Sequence, residues 1–426
     1  MPMMSTRTEA ASLARLRLVL AACVGLALVY GWFAARSFQA SRLASSLDIP
    51  SLQRAVALAP QNAAYRDLLC RFLLFDKQDA DAALPNCRRA TELNPHISAY
   101  WLDLALADFS TGAIGDERQA IRNAVAVDPM TPDVAFTAAS FLLAQGEAPE
   151  ALREFAVAMR GDVNTVQPAL SLCWRSLHDA GAIQAILPPR PAAYLQFIRI
   201  LIADGRWDAA QQTWLAMLRL DAPIDYRQAL FYVDALLDKH ETRSAQQAWN
   251  ELLSRSAPLS EYGRADGAVV NGGFENELLD AGFDWRYAAL SASAASLDSD
   301  HAHSGRQSLL ISYNGAGGDA GIFQYVPVKP NSQYELSAWV KSEQLDAANG
   351  PALAVVDAYS GKPLARTQET LGTTAWRPQR EAFQTGPQTE LVTVRITRDP
   401  AATHIRGKFW IDDVALRPVN ARSGGG

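Results

Sequence analysis

The residues best suited to chemistry in this chain are few and scattered. His301 and His303 stand two apart beside Asp298 and Asp300, a spacing that puts alternate strand residues on one side, where imidazole and carboxylate together suit a transition metal. No third, distant ligand accompanies them, so a metal centre is not expected there. The four cysteines, Cys23, Cys70, Cys87 and Cys173, contain no CxxC pair and are too few for a four-thiolate zinc site or a disulfide-dense framework. No GxSxG, HExxH, P-loop or GxGxxG-helix pattern occurs, and the glycine-rich run from Asn314 to Gly318 lies between two strand-like segments, so it reads as a loop. Nothing places two acids at the separation that glycoside hydrolysis needs. The chain therefore reads as a non-enzyme. With a formal net charge of -6 it lacks the basic surplus that phosphate neutralisation demands, and nucleic-acid binding is excluded on that ground.

The elements that must carry these residues fall into three stretches. Leu18 to Ala35 is an uncharged apolar run, preceded by Arg15 and Arg17 and followed by Arg36. As a helix at ~1.5 Å per residue it spans roughly 27 Å, near the hydrocarbon thickness, with Tyr30, Trp32 and Phe33 placed as interfacial aromatics. Cleavage after Ala35 or Ala40 would put Phe33 or Phe38 at the -3 position, where small residues are required, so an uncleaved single-pass anchor is expected over residues 18–35, behind a short tail, 1–17. Basic residues on the two flanks nearly tie, and the α-amino group alone tips the count toward a cytoplasmic tail and an exported bulk.

From residue 48 to 256 apolar stretches of helical length alternate with short polar breaks. Pro60, Pro95 and Pro129 recur at separations of 35 and 34 residues, each with Ala five positions earlier. That period, with Trp101, Leu104 and Ala105 in one unit and Ala151, Phe155 and Ala158 in the next, resembles tetratricopeptide helix pairs. AQQTW at Ala210 to Trp214 returns as AQQAW at Ala245 to Trp249. Five or six units are expected, with a degenerate stretch from Asn164 to Arg190, small residues setting close helix approach and Phe155, Trp214 and Trp249 filling the core. Such a solenoid offers a concave surface to a protein partner. Cys70 and Cys87 fall on the two helices of one unit. Antiparallel packing would bring them near one another, but Pro85 can shift the second helix, and two separately buried thiols are expected rather than a disulfide.

After a linker at 257–264 the period changes to alternation. LLISY, YELSAWV, ALAVVDAY, TVRIT and FWIDDVAL read as strands of an antiparallel β-sandwich over 265–418, followed by a flexible tail, 419–426. Five landmarks occur in order: VVNGGFE (269–275) followed by Trp285; HSGRQSLLI (303–311); FQYVPVKPNSQYELSAWVKS (323–342); TTAWRPQREAFQT (373–385); and FWIDDVAL (409–416). In this order they resemble the jelly-roll carbohydrate-binding modules of families 4, 9 and 22. The resemblance implies a structural calcium site where first and last strands meet, at Glu275 and Asp412 or Asp413, completed by backbone carbonyls such as that of Gly273 and those of the 300–305 loop. The alternative is that these carboxylates only hydrogen-bond to turns. By the same resemblance Trp285, Trp339, Trp376 and Trp410 occupy framework positions and are expected in the core. That leaves Tyr287, Tyr313, Tyr325 and Tyr359 as candidates to stack on a sugar ring.

The fold class expected is thus an N-terminal transmembrane helix, a tetratricopeptide-like α-solenoid and a C-terminal jelly roll. The expected function is a non-catalytic scaffold of the bacterial cell envelope, anchored in the inner membrane with its soluble domains periplasmic. It would bind a protein partner through the repeats and a polysaccharide through the sandwich, during glycan assembly, export or display. A protein-only adaptor is the alternative, and an accessory glycan-processing subunit a more distant one.

Overall fold

The computed structural model describes residues 5–161, 163–263, 268–287, 293–315 and 318–419. They form two compact units, Met1–Pro188 and Pro189–Gly426.

The first unit is helical. Helix α1 (Ser5–Ala44) leads into α2 (Ile49–Leu58), α3 (Ala63–Phe75), α4 (Ala80–Leu93), α5 (Ser98–Thr111), α6 (Ile114–Val127), α7 (Pro132–Ala144), α8 (Ala148–Ala158), α9 (Val163–Leu177) and α10 (Ala180–Ile186). Polar caps decide where several helices start: the side chains of Asp48, Asn62, Asp79 and Asp179 accept from the N–H groups of Ser51, Tyr65, Ala82 and Ala182, satisfying donors the first turn leaves open. Pro60, Pro95 and Pro129 fall in the turns after α2, α4 and α6, where a helix cannot continue. Consecutive helices pack as hairpins, α3 with α4, α5 with α6 and α7 with α8, and each hairpin closes the apolar face of the next. The small residues do what the spacing requires: Ala105, Ala139, Ala151 and Ala158 are wholly buried, with Phe155 among them.

Two features depart from expectation. Helix α1 does not end with the apolar run but continues to Ala44, where buried Ala40 and Ala44 pack on α2, so its last turns are the first helix of the array. Cys70 and Cys87, expected as separate thiols, form a disulfide with Cα atoms 5.3 Å apart. Pro85 sits in the first half of α4 without displacing it, and the antiparallel α3/α4 pair brings the two sulfurs into register.

The second unit begins with two more hairpins, α11 (Pro191–Ala203) with α12 (Trp207–Leu218) and α13 (Tyr226–Asp238) with α14 (Thr242–Arg255). Trp214 and Trp249 are buried in them as expected. The stretch read as a linker is the short helix α15 (Ala257–Ser260) and a helical turn to Gly263, with Leu259 and Tyr262 buried. Residue 264 and the tail beyond Val419 lie outside the described residues.

Among the described residues ten strands follow: β1 (Arg286–Tyr287), β2 (Ser293–Asp298), β3 (Ser308–Asn314), β4 (Ile322–Pro327), β5 (Gln333–Ala347), β6 (Ala352–Asp357), β7 (Pro363–Arg366), β8 (Gly372–Gln384), β9 (Leu391–Thr397) and β10 (Ile405–Pro418). They make two antiparallel five-stranded sheets, ordered β1-β4-β9-β6-β7 and β2-β3-β10-β5-β8. Strand parity fills the core between them: Leu336, Ala338 and Val340 of β5, Phe409 and Ile411 of β10, and Val392, Val394 and Ile396 of β9 face inward. At Asp412–Asp413 a bulge re-phases β10, Asp413 taking a positive φ of 50°, so that Val414 and Leu416 again face the core. The segment before β1 crosses this bulge, Val414 donating to the carbonyl of Gly272 at 2.8 Å. A Cβ on Gly272 would lie 2.0 Å from the Val414 carbonyl oxygen, so no other residue fits there.

The α13/α14 hairpin packs against this sandwich. Asp234 accepts from the Gly282 N–H at 2.7 Å and pairs with Arg286, and Trp249 meets Phe283 edge-on at 6.0 Å. Tyr262 donates to the carbonyl of Glu277 at 2.7 Å. The expected boundary at 257–264 therefore lies inside one compact unit.

Candidate functional site

The outward face of the β2-β3-β10-β5-β8 sheet gathers three tryptophans and two histidines. In β5 the parity that sends Ala338 and Val340 inward sends Trp339 and Lys341 outward, and in β10 it sends Lys408, Trp410 and Asp412 outward beside them. Trp339 and Trp376, expected in the core, are instead half-buried on this face. The ring of His303 lies flat on Trp339, centroids 3.8 Å apart and planes 14° apart, and Trp376 meets His303 edge-on at 5.8 Å. Trp410 is wholly buried though outward, because His301, Lys341 and Lys408 close over its ring and its indole N–H donates to Asp298 at 2.7 Å. Trp285 is in the core as expected, stacked on Phe274 at 5.2 Å.

His303 is held by the residues assigned to calcium. The Asp412 carboxylate accepts from the N–H groups of His303 and Ser304, at 2.8 and 3.1 Å, and from Asp413 N–H at 2.7 Å. Asp413 takes the Ser304 hydroxyl at 2.7 Å and lies 2.6 Å from His303 Nδ1. Glu275 accepts from Arg306 N–H at 2.7 Å and Gln307 N–H at 3.3 Å, and pairs with the Arg306 guanidinium at 3.1 Å. These acids converge on Gly273, where a Cβ would lie 3.8 Å from Asp413 Oδ1 and 4.0 Å from Asp412 Oδ1. Burial pushes the Asp412 carboxyl up to about 6, against the N–H donors that favour its charge. Burial also raises Glu275, but the Arg306 and Gln307 donors and the guanidinium outweigh it and hold the group below the usual range. Every carboxylate oxygen here already meets an N–H, an O–H or an imidazole. As arranged, these bonds make the corner a latch that fixes the 301–307 loop. Among the described residues no three His, Cys, Asp or Glu side chains converge as a metal site. His301 and His303 serve different acids, His301 Nδ1 lying 3.0 Å from Asp298.

The four tyrosines part company. Tyr313 shares the inward parity of Leu309 and Ile311 on β3 and is 4 % exposed, so it cannot meet a sugar and belongs to the core. Tyr359 has one ring face covered by His240, centroids 4.0 Å apart, and its hydroxyl bonded to that of Thr242 at 2.7 Å. It walls a polar cleft of about 610 Å³ with His240, Lys362, Gln384 and Gln388. Tyr325 points outward from β4, with the Arg286 guanidinium 5.2 Å from its ring centre and Phe323 edge-on at 5.5 Å. Tyr287, at the edge strand β1, is exposed. The platform of Trp339, Trp376 and His303 was the signal missed: in SAWVKS the Trp alternates with Ser337 and Lys341, not with the apolar positions.

On the helical side of the second unit, a groove across α12, α13 and α14 is lined by Trp207, Gln211, Tyr232, Lys239 and Ser244, the Lys239 ammonium 4.9 Å from the Trp207 ring centre.

No curated protein matches the chain. Among solved structures it is similar to a family 16 carbohydrate-binding module-2, at 22 % identity over 35 % of this chain and 99 % of that one, with a TM-score of 0.27. It is also similar to Pseudomonas aeruginosa pilF, at 16 % identity over 47 % and 96 % of the two chains, TM-score 0.27. A third is MamA, at 14 % identity over 49 % and 94 %, TM-score 0.28. Residues 266–403 match the family model described as a carbohydrate binding domain, of the 4/9 group.

Proposed function

We propose that this chain is a non-catalytic, single-span scaffold of the bacterial inner membrane, with its helical repeats and β-sandwich outside the cytoplasm. The repeats hold a protein partner and the sandwich contacts a polysaccharide during its assembly, export or display. The observation that carries the glycan reading is the outward Trp339–His303–Trp376 platform on a domain that matches a carbohydrate-binding family. Indole faces held rigid beside Lys341 suit the apolar faces and hydroxyl edges of a sugar ring. Tyr287 and Tyr325, on the other sheet, are the secondary candidates.

The anchor rests on α1, whose residues from Leu18 to Ala35 are exposed on every side although they carry no charge, a pattern that water does not favour and lipid does. The Cys70–Cys87 disulfide supports an oxidising compartment, and with it an exported array.

Retention on insoluble polysaccharides tests the reading. Wild-type protein is expected to be retained on at least one polymer, and Trp339→Ala with Trp376→Ala to abolish retention, while Tyr313→Phe leaves it unchanged. Equal retention of the double variant would remove the platform from sugar binding. No retention of the wild type on any polymer would leave a protein-only adaptor, and product release from a labelled polysaccharide would overturn the non-catalytic reading.

A further inference from the structure

The join between α1 and the array has no linker. Arg36 is the first residue after the apolar run, and its guanidinium donates to the carbonyls of Leu58 and Ala57, at 2.6 and 3.5 Å, while lying 5.1 Å from the Trp32 ring centre. It thus caps the C-terminus of α2, where four carbonyls lack helical partners, with a cation that the helix dipole favours. Because α2 runs antiparallel to the end of α1, this bond brings the turn at residues 59–62 down to the level at which the apolar run stops.

The rest of the array follows from helix lengths. Helices α3 and α4 have 13 and 14 residues, and α5 and α6 have 14 each. At ~1.5 Å per residue, each antiparallel pair returns the chain to within about 2 Å of the level from which it left. The turns at 59–62, 94–97 and 128–131 therefore share one edge of the array, the edge marked by Pro60, Pro95 and Pro129. Two large apolar side chains stand out from that edge into solvent, Ile97, 39 % exposed, and Met130, 64 % exposed, beside the exposed Gln61, His96 and Thr131.

We propose that this proline-marked edge lies on the surface of the bilayer that α1 crosses, with Ile97 and Met130 dipping into its headgroup region. The occupant is the membrane and not a protein, because the apolar surface of α1 ends at the same level and Tyr30, Trp32 and Phe33 mark the interface there. The array would then stand on the membrane in a fixed orientation, its opposite edge, which carries the exposed Phe75 and Phe109, turned away. The inference rests on the reading of α1 as a span, and its test separates the two.

The full chain is placed in phosphatidylethanolamine–phosphatidylglycerol vesicles and spin-labelled one site at a time. The sites are native Cys23, exposed on α1, and, on a Cys23→Ser background, Ile97→Cys, Met130→Cys and Phe75→Cys. All three substituted positions are exposed, so no core is disturbed. Collision with oxygen, which partitions into lipid, is compared with collision with a water-soluble nickel chelate. Labels at 97 and 130 are expected to meet the nickel chelate at least ~threefold less than the label at 75, as side chains seated at a headgroup boundary would. Nickel access at 97 and 130 equal to that at 75, with Cys23 shielded, overturns the proposal and leaves the span intact. Nickel access at Cys23 equal to that at 75 overturns the span itself.

Discussion

The two units treat their buried acids differently. In the sandwich, Asp412 is wholly buried yet each of its oxygens accepts an N–H, and Asp357 is met by Thr389, Tyr359 and Ser360. In the helical array, Glu117 is equally buried and neither of its oxygens has a hydrogen-bond partner, Asp67 leaves one oxygen without one, and Asp108 Oδ1 lies 3.8 Å from the Arg88 guanidinium without a hydrogen bond. The cause is geometric. Loops and bulges turn N–H groups toward a carboxylate, whereas the interior of a helix spends its N–H groups on its own carbonyls. Glu117 is relieved only by its place in the first turn of α6, where the dipole favours negative charge. Asp284 is the sandwich's exception, with one oxygen unmatched and its carboxyl pushed by burial to about 7. Asp284 apart, buried acids of the sandwich hold loops, whereas Glu117 and Asp67, buried in the array, have oxygens that no donor meets.

The strongest test of that contrast is the disulfide. Closing the loop between Cys70 and Cys87, a sequence separation of 17, restricts the unfolded first unit by about 3 kcal/mol in the loop-entropy account. Cys70→Ser with Cys87→Ser should lower the array's unfolding free energy by about that much in urea. The sandwich transition should not move, and a sandwich that falls in step would show that the units do not unfold separately.

Next in size is the latch. Asp412→Ala leaves the N–H groups of His303 and Ser304 without their acceptor, at a cost of about 2 to 4 kcal/mol. The variant should also blur the near-ultraviolet signal of Trp339, since His303 would no longer be fixed against it. In the array, Glu117→Gln should cost little, because neither carboxyl oxygen has a hydrogen bond to lose. A latch loss no larger than that of Glu117→Gln would erase the contrast.

These expectations rest on positions that the sequence reveals unequally. The hairpins are legible because Pro60, Pro95 and Pro129 mark the same turn at a constant period, and caps such as Asn62 and Asp79 agree locally. The continuation of α1 into the array is not, since nine residues after Ala35 hold too little pattern to show that Ala40 and Ala44 face a partner. In the sandwich the landmarks announce the fold, but the site follows strand parity. Parity puts Tyr313 with Leu309 and Ile311 in the core and Trp339 outside, which residue type and framework position alone do not. The pairing of Tyr359 with His240 joins residues 119 positions apart and leaves no local trace.

Smaller effects come with pH. Burial raises Asp67, Asp103 and Asp108 in the array, Asp108 to about 6, while among the sandwich's acids Glu275, Asp298 and Asp357 are held below their usual range. A raised carboxyl contributes stability that is complete below its unfolded value near 4 and is lost as pH rises through its folded value; a lowered one contributes stability that is lost as pH falls. The array's melting temperature should therefore fall between pH 4 and 8 more steeply than the sandwich's, where Asp412 and Asp284 titrate in that window and the lowered group titrates below it. Asp67→Asn should flatten the array's slope. Parallel slopes in the two transitions would break the contrast.

The smallest expected effect is the most informative about the Glu275 corner. Arg306 is 82 % exposed, so its pair with Glu275 is screened by water, and Arg306→Ala should cost at most about 0.5 kcal/mol. The N–H donors of Arg306 and Gln307 persist in that variant and carry most of the latch. Removing divalent cations with EGTA should likewise leave the sandwich's melting temperature unchanged if the protein partners that each oxygen of Glu275, Asp412 and Asp413 already has are what holds the corner. A fall on chelation that calcium alone restores would mean that the 301–307 loop exchanges its protein donors for calcium. One cation that binds the native and not the unfolded state would then add RT ln(1 + [Ca]/Kd) to stability, and the restored shift would grow with calcium concentration, which a latch built only of hydrogen bonds cannot do.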